Sequence, residues 1–402
     1  MLTMAQALDA LMAGVRPITD SETVDTLQAN GRVLAAGVTS ALRVPPADNT
    51  SMDGYVMRAA DVPAPGTRLP VSQRIPAGHV GTELAPGTAA RIFTGGLIPP
   101  GADAVVMQEQ CQADGDAVIV NHAPASGEWI RRAGEDIEAG SEILPAGTRL
   151  SPQALGLAAS VGQAKLDVVR RVRVAVFFTG DELAMPGEPL KPGAIYNSNR
   201  FTLRGLLENL GCEVTDFGIV PDTLAATRDT LRRAAEGNDL IITSGGVSVG
   251  EEDHIRPAVT AEGRLDLWQI AIKPGKPLAF GQVANGTELP AFFLGLPGNP
   301  VSSFVTFLLF VRPFILRLQG VADVTPRRLP LRADFDLSRG DRRNEFLRAR
   351  INDAGGLDLF PNQSSGVLTS TVWGDGLIDN PPNQTIQRGD VVQFIPFASL
   401  LA

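Results

Sequence analysis

Apolar residues recur with two different periods in the second half of the chain, from Val172 onward. Some segments are short runs of β-branched and aromatic residues, which is typical of buried strands: VRVAVFF, EVTDFGIV, DLIITSGG and AFFLGLPGNP. Others have helical spacing, and FTLRGLLENL places on one face Leu203, Leu206, Leu207 and Leu210. Strands that alternate with helices predict a mostly parallel sheet covered by helices on both faces. We therefore expect a central three-layer α/β/α domain over residues 169–323.

The first half of the chain has a different pattern. Residues 1–42 are predicted to be helical, and residues 43–128 alternate short apolar runs with Pro/Gly turns, which is typical of a small β-rich domain. Helical periodicity returns at SPQALGLAASVG, where Ser151 suits the N-cap and Pro152 the first turn. If the helical segments 1–42 and 129–168 pack together as a linking domain, the β-rich domain between them is an insertion.

The C-terminal segment 324–402 contains short, partly alternating runs separated by turns, so a small β-barrel is expected there. The most apolar run, FVTFLLFVRPFILRL, is shorter than the about 20 residues that a membrane span needs. It is also interrupted by Arg312 and Pro313, and a buried core helix is the better interpretation. The complete pattern predicts an α/β multidomain protein.

Composition and charge limit the possible functions. The 402 residues are 44% hydrophobic and 20% charged, and the formal net charge is −9. Such a chain has no general affinity for nucleic acid, so an anionic substrate has to be attracted by local basic residues or by a metal. Cys111 and Cys212 form no CxxC pattern, which argues against a thiolate zinc site or a disulfide framework. The N-terminus lacks the basic region of a signal peptide, so a cytoplasmic location without a membrane partner is expected.

Three polar loops each follow a predicted strand directly: TGDEL, SGGVSVGEED and GLPGNP. In open sheets of this class ligands bind beyond the carboxyl ends of the strands, so the three loops should line one edge. Gly245 and Gly246 can adopt positive φ and direct backbone N–H groups at an anion, although a simple tight turn is the alternative.

Acidic and basic residues follow the same strands. Four acids come from three strand ends and offer the oxygen ligands that suit Mg²⁺: Asp181, Glu182, Asp222 and Asp253. Asp222 can instead be the N-cap of the helix that follows it. Lys273 and Lys276 in KPGKP form a candidate anion clamp on a chain stiffened by prolines, and a solvated turn is the alternative. Neither a Walker A pattern nor a GxGxxG fingerprint is present.

Seven motifs, in order along the whole chain, resemble one family. They are DNTSMDGY, RIFTGG with GADAVVMQE, RRAGEDI, VAVFFTGDEL, GGVSVGEED, IKPGKP and GLPGNPVSS. The chain resembles the molybdopterin molybdenumtransferases of the MoeA type and is similar to the E domain of gephyrin. Two departures from the family pattern, Thr50-Ser51 in place of Ser-Ala and His254 after Asp253, remove no side chain that is expected to act.

The resemblance implies a homodimer of four-part subunits. Residues 1–42 plus 129–168 would form a helical linking and dimerisation domain, 43–128 an inserted β-rich domain, 169–323 a domain of the molybdopterin-binding fold, and 324–402 a β-barrel. The implied substrates are adenylated molybdopterin and molybdate, the products are molybdenum cofactor and AMP, and Mg²⁺ is required. Further implied partners are the preceding adenylyltransferase and the molybdoenzymes that accept the product.

By motif position, the resemblance also implies the site residues. The catalytic set is Asp53, Thr94, Asp136, Glu182, Asp222, Asp253, Lys273 and Lys276, and the metal ligands are Glu182, Asp222 and Asp253. The substrate-binding set is Thr179, Gly180, Ser244, Gly245, Gly246, Ser248, Gly250, Pro274, Gly275, Pro297, Gly298, Asn299, Pro300, Ser302, Arg343 and Ser365. In this interpretation the glycine loop holds substrate phosphate, the acids hold Mg²⁺ against it, and the lysines collect molybdate.

Two other functions are open at this stage. A molybdopterin adenylyltransferase shares the α/β domain but makes the adenylate, so it would consume ATP with bare molybdopterin. A non-catalytic dimeric pterin-binding scaffold would keep the fold for partner binding. The acids and lysines argue against a scaffold, which has no physical need for them.

Overall fold

The computed structural model of the chain describes residues 1–247 and 254–401, and a six-stranded sheet lies at its centre. The strand order across this sheet is Glu213–Val220, Arg173–Thr179, Leu240–Ser244, Ala291–Leu296, Pro277–Val283 and Gly263–Gln269. The first four strands are parallel to one another, Pro277–Val283 runs antiparallel to them, and Gly263–Gln269 pairs antiparallel with Pro277–Val283. The prediction of a mostly parallel sheet is confirmed.

Helices cover both faces of the central sheet. One face carries Ser198–Asn209 and the long helix Pro300–Leu318, and the other carries Leu224–Ala235 and Ile255–Glu262. Successive residues of the strand Arg173–Thr179 point alternately to the two cores, as strand geometry requires. Val174, Val176 and Phe178 enter one core, and Ala175 and Phe177 enter the other. The leucine face predicted for the helix Ser198–Asn209 is buried in the core that contains Val174.

The helix Pro300–Leu318 is the most apolar one in the described part of the chain. It comprises the α-helix Pro300–Thr306, a π-helical segment Phe307–Val311 and the α-helix Arg312–Leu318. By length and composition it could cross a membrane, but 94% of its apolar 18-residue stretch is buried inside the protein. The prediction of a buried core helix is confirmed.

The N-terminal helix ends much earlier than the sequence indicated. Only Met4–Ala13 is α-helical, and its Ala7 and Leu11 pack into the core of the central sheet. The expectation of helix through residue 42 is wrong, because Ser21–Asp25 pairs antiparallel with Lys165–Val169. Pairing with a strand that is distant in sequence overrides the weak local preference of this segment for helix.

The chain just before and just after the β-rich part is also less helical than expected. Its elements are the strands Ser21–Asp25, Val38–Thr39, Glu142–Leu144 and Lys165–Val169, the 3₁₀-helix Thr26–Gln28 and the α-helix Pro152–Ser160. Ser151 is the N-cap of this α-helix, as predicted. The two α-helices do not share a core, because Pro152–Ser160 packs on residues such as Leu34 and Val38. The expected packing of helix on helix is therefore wrong, although chain from before and after the β-rich part does share a core.

The β-rich part forms its own six-stranded sheet. The strand order is Ala104–Met107, Gly54–Met57, Ala89–Ile92, Thr67–Ile75, Ala117–Val120 and Cys111–Asp114. Two 3₁₀-helices, Ala59–Asp61 and Gln108–Gln110, belong to this part, and Asn49–Thr50 pairs with Ile130–Arg131 beside it. The prediction of a β-rich segment here is confirmed.

The C-terminal sheet has one strand from outside the C-terminal segment. Its order is Ile272–Lys273, Asn344–Ile351, Gly376–Asn380, Val391–Pro396 and Leu329–Arg332, with Leu357–Leu359 beside the second strand. The short helices Thr369–Trp373 and Ala398–Leu401 complete this part. Because Ile272–Lys273 precedes a strand of the central sheet, the two sheets are joined at this point. The predicted β content is confirmed, and closure into a barrel stays a prediction.

Candidate functional site

A cleft of about 720 Å³ lies where the parallel strands of the central sheet end, and we call it the sheet-edge cleft. Thr179 and Ser244 are the last residues of adjacent strands, and Pro297 directly follows a third. Ser244 Oγ donates to Pro297 O at 3.0 Å, and Asn199 Nδ2 donates to Ser244 Oγ at 2.8 Å. The predicted convergence of the strand-end loops is confirmed in the described residues.

Two glycines in the cleft are required by the backbone. Gly245 has φ +101°, and a Cβ there would lie 2.8 Å from Thr179 O. Gly275, in the KPGKP loop, has φ +103°, and a Cβ there would overlap Thr306 Oγ1. L-residues with a side chain rarely adopt such φ values, so both loops depend on glycine.

Glu182 and Asp222 form the acidic wall of the cleft. Glu182 folds its carboxylate back over Gly180, since a Cβ on Gly180 would lie 2.6 Å from Glu182 Oε2. Asp222 does not cap the next helix: the N-cap is Thr223, whose Oγ1 accepts a hydrogen bond from Ala226 N at 3.3 Å. The capping alternative for Asp222 is wrong, and its position in the cleft agrees with a ligand-binding role.

The third predicted metal ligand, Asp253, lies outside the described residues together with Ser248 and Gly250. Within 1–247 and 254–401, no group of three or more His, Cys, Asp and Glu side chains is arranged to hold a metal ion. Two carboxylates in one cleft still fit Mg²⁺, because this ion usually takes one or two carboxylates and completes its shell with waters and phosphate oxygens. The donor set is therefore suitable for Mg²⁺ bound together with a phosphorylated substrate.

Lys273, Lys276 and Arg343 form the basic wall. Lys273 Nζ lies 3.0 Å from Glu345 Oε1 and 3.3 Å from Asp341 Oδ2. Arg343 binds Asp341 through two contacts of 3.0 Å each, and these hydrogen bonds hold the pKa of the Asp341 carboxyl well below its usual range. Lys276 is exposed and has no acidic partner among the described residues, so its charge is available to a ligand.

The same three basic residues also line a neighbouring cleft of about 760 Å³, which we call the outer cleft. Arg339 and Arg342 add two further exposed cations, and Asp341 is the acid that lines it. A group of cations on a chain of net charge −9 supplies the local attraction for anions that the overall charge does not.

Residues of the C-terminal segment form a further part of the cleft wall. Gln363, Ser364 and Ser365 line it there, together with Ser302 from the start of the long helix. Val301 N donates to Ser365 O at 3.0 Å, which fixes this segment against the helix. The cleft is thus built from both the central and the C-terminal parts of the chain.

Three family models match the chain over most of its length. They are the MoeA N-terminal region (domain I and II) over 2–162, a "Probable molybdopterin binding domain" over 175–317, and the MoeA C-terminal region (domain IV) over 330–397. A molybdopterin molybdenumtransferase from Haemophilus influenzae is 39% identical and both chains are covered completely. The chain belongs to the MoeA family.

Other members of the MoeA family agree with this assignment. A molybdopterin molybdenumtransferase from a Nostoc species is 38% identical, with 91% of this chain and 86% of that protein covered. The crystal structure of a molybdopterin biosynthesis moeA protein from Pyrococcus horikoshii is 29% identical. It superimposes with a TM-score of 0.85 over 98% of this chain and 100% of that one. The resemblance inferred from the motifs and the mixed α/β multidomain fold are confirmed.

Most residues assigned from the MoeA motifs do line the sheet-edge cleft. These are Thr179, Gly180, Glu182, Asp222, Ser244, Gly245, Gly246, Lys273, Pro274, Gly275, Lys276, Pro297, Gly298, Asn299, Pro300, Ser302, Arg343 and Ser365. Their shared location agrees with the assignment, whereas their individual roles stay predictions.

Three assigned residues lie elsewhere in the chain: Asp53, Thr94 and Asp136 do not line this cleft. Asp53 and Thr94 are close together beside the inserted sheet, since Thr94 N and Thr94 Oγ1 donate to Asp53 Oδ1 at 2.7 and 2.8 Å. The backbone hydrogen bond from Thr94 is the main reason why the pKa of Asp53 is lowered. Asp53 is therefore an ionised carboxylate that Thr94 holds in place outside the cleft of its own chain.

The motif assignment missed several residues that line the cleft, among them Asn197, Asn199, Gln363 and Ser364. Asn197 Oδ1 accepts from Arg200 N at 3.1 Å and caps the helix Ser198–Asn209. Its side chain is buried, and its Nδ2 has no hydrogen-bond partner in the described part of the chain. The sequence NSN before a periodic helix was a usable signal, because helix N-termini attract anions. No local pattern marks Gln363 or Ser364.

Proposed function

We propose that this protein inserts molybdenum from molybdate into adenylated molybdopterin and releases AMP, yielding molybdenum cofactor. Membership of the MoeA family supports this, because its relatives carry the name molybdopterin molybdenumtransferase. The observation that carries the proposal is the sheet-edge cleft, in which Glu182 and Asp222 share one cavity with Lys273, Lys276 and Arg343. The phosphates of the substrate call for the acidic wall, which would hold Mg²⁺ against them. The molybdate oxyanion that reacts with the substrate calls for the basic wall.

The acidic wall is the proposed Mg²⁺ site, with Glu182, Asp222 and Asp253 as the residues that would hold the ion. Mg²⁺ bound there would polarise the phosphoanhydride that links AMP to the pterin. Gly245 and Gly246 would hold the substrate phosphate with backbone N–H groups, which their positive φ values favour.

The basic wall is the proposed molybdate site. Lys273, Lys276 and Arg343 carry the charges, and Ser302 and Ser365 add hydroxyl groups beside them. Molybdate held there would lie next to the pterin dithiolene, so that breaking the bond to AMP is coupled to insertion of the metal. Arginine suits such an anion because its guanidinium can make two parallel hydrogen bonds.

The finer domain layout is part of the same proposal: a linking and dimerisation domain, an inserted β-rich domain, a molybdopterin-binding domain and a C-terminal barrel, in a cytoplasmic homodimer. Asp53, Thr94 and Asp136 keep their proposed roles only if a second copy brings them to the cleft, since they do not line it in their own chain. A mixture of an Asp53→Asn chain and a Glu182→Gln chain tests this, because a mixed dimer would regain one intact site.

The direct test measures AMP release from purified adenylated molybdopterin with Mg²⁺, with and without molybdate. Release that depends on molybdate is the expected result. ATP consumption with bare molybdopterin would favour an adenylyltransferase instead. Tight pterin binding without release under either condition would leave a carrier or scaffold and remove the catalytic assignments.

A further inference from the structure

The helix Ser198–Asn209 begins at the sheet-edge cleft, because its N-cap Asn197 and its second residue Asn199 both line this cleft. The first N–H groups of any helix lack acceptors inside the helix, and together with the helix dipole they favour phosphate at the helix start. Asn197 Oδ1 accepts from Arg200 N at 3.1 Å. In the described part of the chain, the N–H groups of Ser198 and Asn199 have no acceptor, so two donors remain for a ligand.

The side chain of Asn197 is a second, independent sign of a ligand. Asn197 is only 2% exposed, yet its Nδ2 has no hydrogen-bond partner among residues 1–247 and 254–401. A buried amide donor without an acceptor costs folding free energy, and most such groups in proteins are paired. Since Asn197 lines the cleft, an oxygen of a ligand at the helix start would supply the acceptor. The cap alone does not explain asparagine here, because serine and aspartate cap helices equally well.

The start of this helix is tied to the acidic wall. Leu183–Ala184 pairs in parallel with Ile195–Tyr196, and Asn197 N donates to Ala184 O at 2.9 Å. Glu182, a proposed Mg²⁺ ligand, directly precedes the first of these two strands. A phosphate at the helix start would therefore lie beside the proposed metal site, as Mg²⁺ that is completed by phosphate oxygens requires.

The start of the helix is also tied to the glycine loop. Asn199 Nδ2 donates to Ser244 Oγ and to Gly298 O, both at 2.8 Å. Ser244 directly precedes Gly245 and Gly246, the proposed phosphate loop. Two groups of backbone donors that suit anions are thus held next to each other, and the phosphoanhydride of the proposed substrate contains two phosphates. One anion site would leave the second phosphate without donors.

We propose that the helix start at Asn197 binds one of the two phosphates in the diphosphate linkage of adenylated molybdopterin, while the glycine loop binds the other. Asn197 contributes its Nδ2, and the backbone contributes the N–H groups of Ser198 and Asn199. The inference rests on the proposed function and names the recognised group as a disubstituted diphosphate. Each product of cleavage then keeps a single phosphate in one of the two subsites.

The test compares Asn197→Asp and Asn197→Ser in the full chain. Both keep a side-chain oxygen for the cap, but Asn197→Ser removes the amide donor and Asn197→Asp also adds a negative charge. Equilibrium binding gives the dissociation constants of adenylated molybdopterin, AMP and molybdopterin. For adenylated molybdopterin we expect about tenfold weaker binding by Asn197→Ser and about a hundredfold by Asn197→Asp, because a like charge would face the phosphate. Of AMP and molybdopterin, only one should lose affinity, since each carries one phosphate.

Ser151→Asp is the matched control. Ser151 is the N-cap of the helix Pro152–Ser160, its Oγ accepts from Ala154 N at 3.3 Å, and it does not line the cleft. The variant adds the same charge at a helix start elsewhere and should bind all three ligands like the wild type. If Asn197→Asp does not fold, Asn197→Ser carries the test, because it adds no charge and should unfold at the same urea concentration as the wild type.

Three results overturn the inference. The first is wild-type affinity of Asn197→Ser for adenylated molybdopterin. The second is an equal change for AMP and molybdopterin, which would show a general effect on the cleft. The third is an equal loss of affinity in Ser151→Asp, which would show an effect of net charge alone. A wild-type protein that binds no adenylated molybdopterin would remove the proposed function itself, whereas wild-type AMP release beside unaffected Asn197 variants would remove only this inference.

Discussion

The two charged walls of the sheet-edge cleft are built in different ways. Glu182 and Asp222 lie on loops that follow neighbouring parallel strands of one sheet. The basic wall instead joins two sheets, because the strand Ile272–Lys273 pairs with Asn344–Glu345 of the C-terminal sheet. The first wall needs only the topology of the central sheet, whereas the second exists only once two separate parts of the chain have docked.

The charged side chains of the two walls also differ in whether they already have partners of opposite charge. Glu182 is exposed to solvent in the cleft. In the basic wall, Lys273 and Arg343 already bind Asp341, and Lys273 also binds the buried Glu345. Changes in the acidic wall should therefore reduce activity without loss of stability, and changes in the carboxylates behind the basic wall should reduce stability.

The largest effect is expected in the acidic wall. Glu182→Gln should lower Mg²⁺-dependent AMP release by about a hundredfold or more, because it removes a charged ligand of the proposed ion. The melting temperature should stay close to that of the wild type. Asp181→Asn is the matched control, since Asp181 is adjacent but does not line the cleft. An unchanged Mg²⁺ dependence in Glu182→Gln would remove this residue from the metal site.

The next effect concerns the backbone of the basic wall. Gly275→Ala should lower the free energy of unfolding by about 2 to 3 kcal/mol, because a Cβ is disfavoured at this φ and overlaps Thr306 Oγ1. Gly193→Ala is the control: its φ is +86° but nothing lies within 4 Å of the new Cβ, so about 1 kcal/mol is expected. Urea denaturation measures both. Equal losses would mean that the contact with Thr306 is unimportant.

A smaller effect is expected behind the same wall. Glu345→Gln should cost about 1 to 2 kcal/mol, because this buried carboxylate accepts hydrogen bonds from Lys273 Nζ and from Asp341 N at 3.0 and 3.1 Å. Glu213→Gln breaks an exposed pair with Arg173 in the central sheet and should cost less than about 0.5 kcal/mol. If Glu345→Gln is as mild as Glu213→Gln, the ion pair does not stabilise the junction between the sheets.

The smallest effect is a dependence on pH. Hydrogen bonds from Arg343 lower the pKa of Asp341 in the folded protein, so this carboxyl stabilises the fold above the pKa of an unfolded aspartate, about 4. That contribution, about 1 kcal/mol, is lost as the pH falls from about 5 toward the lower folded pKa. Asp341→Asn should flatten the acid side of the stability profile and leave neutral turnover less affected than Glu182→Gln does. An acid profile identical to that of the wild type would contradict this assignment.

Much of the central sheet could be predicted because its signals are local. The segments EVTDFGIV and VRVAVFF became the strands Glu213–Val220 and Arg173–Thr179 almost residue for residue. Runs of β-branched residues ended by glycine or polar loops leave little choice of structure. The loops at the carboxyl edge followed from the parallel order of the strands, and with them the positions of Glu182 and Asp222.

The prediction was wrong where short segments have weak local preferences. Residues 21–25, SETVD, became a strand because the partner Lys165–Val169 is available, although the partner is about 140 residues away. The burial of Arg348, which is only 1% exposed, was not predicted, since an arginine in EFLRARI looks like an ordinary polar position of an alternating strand. Only its neighbours in space show that it is buried.

The sequence by itself determined the MoeA family, the central α/β sheet and the acidic edge of the cleft, because these depend on motifs and periodicities that are contiguous along the chain. Only the tertiary structure decided how the basic wall is completed. Lys273 meets Glu345 across 72 positions, and Ser364 meets Arg348 from a neighbouring loop. Edge strands can pair with any compatible strand, so the choice of partner is made by packing of the whole molecule and not by the local sequence.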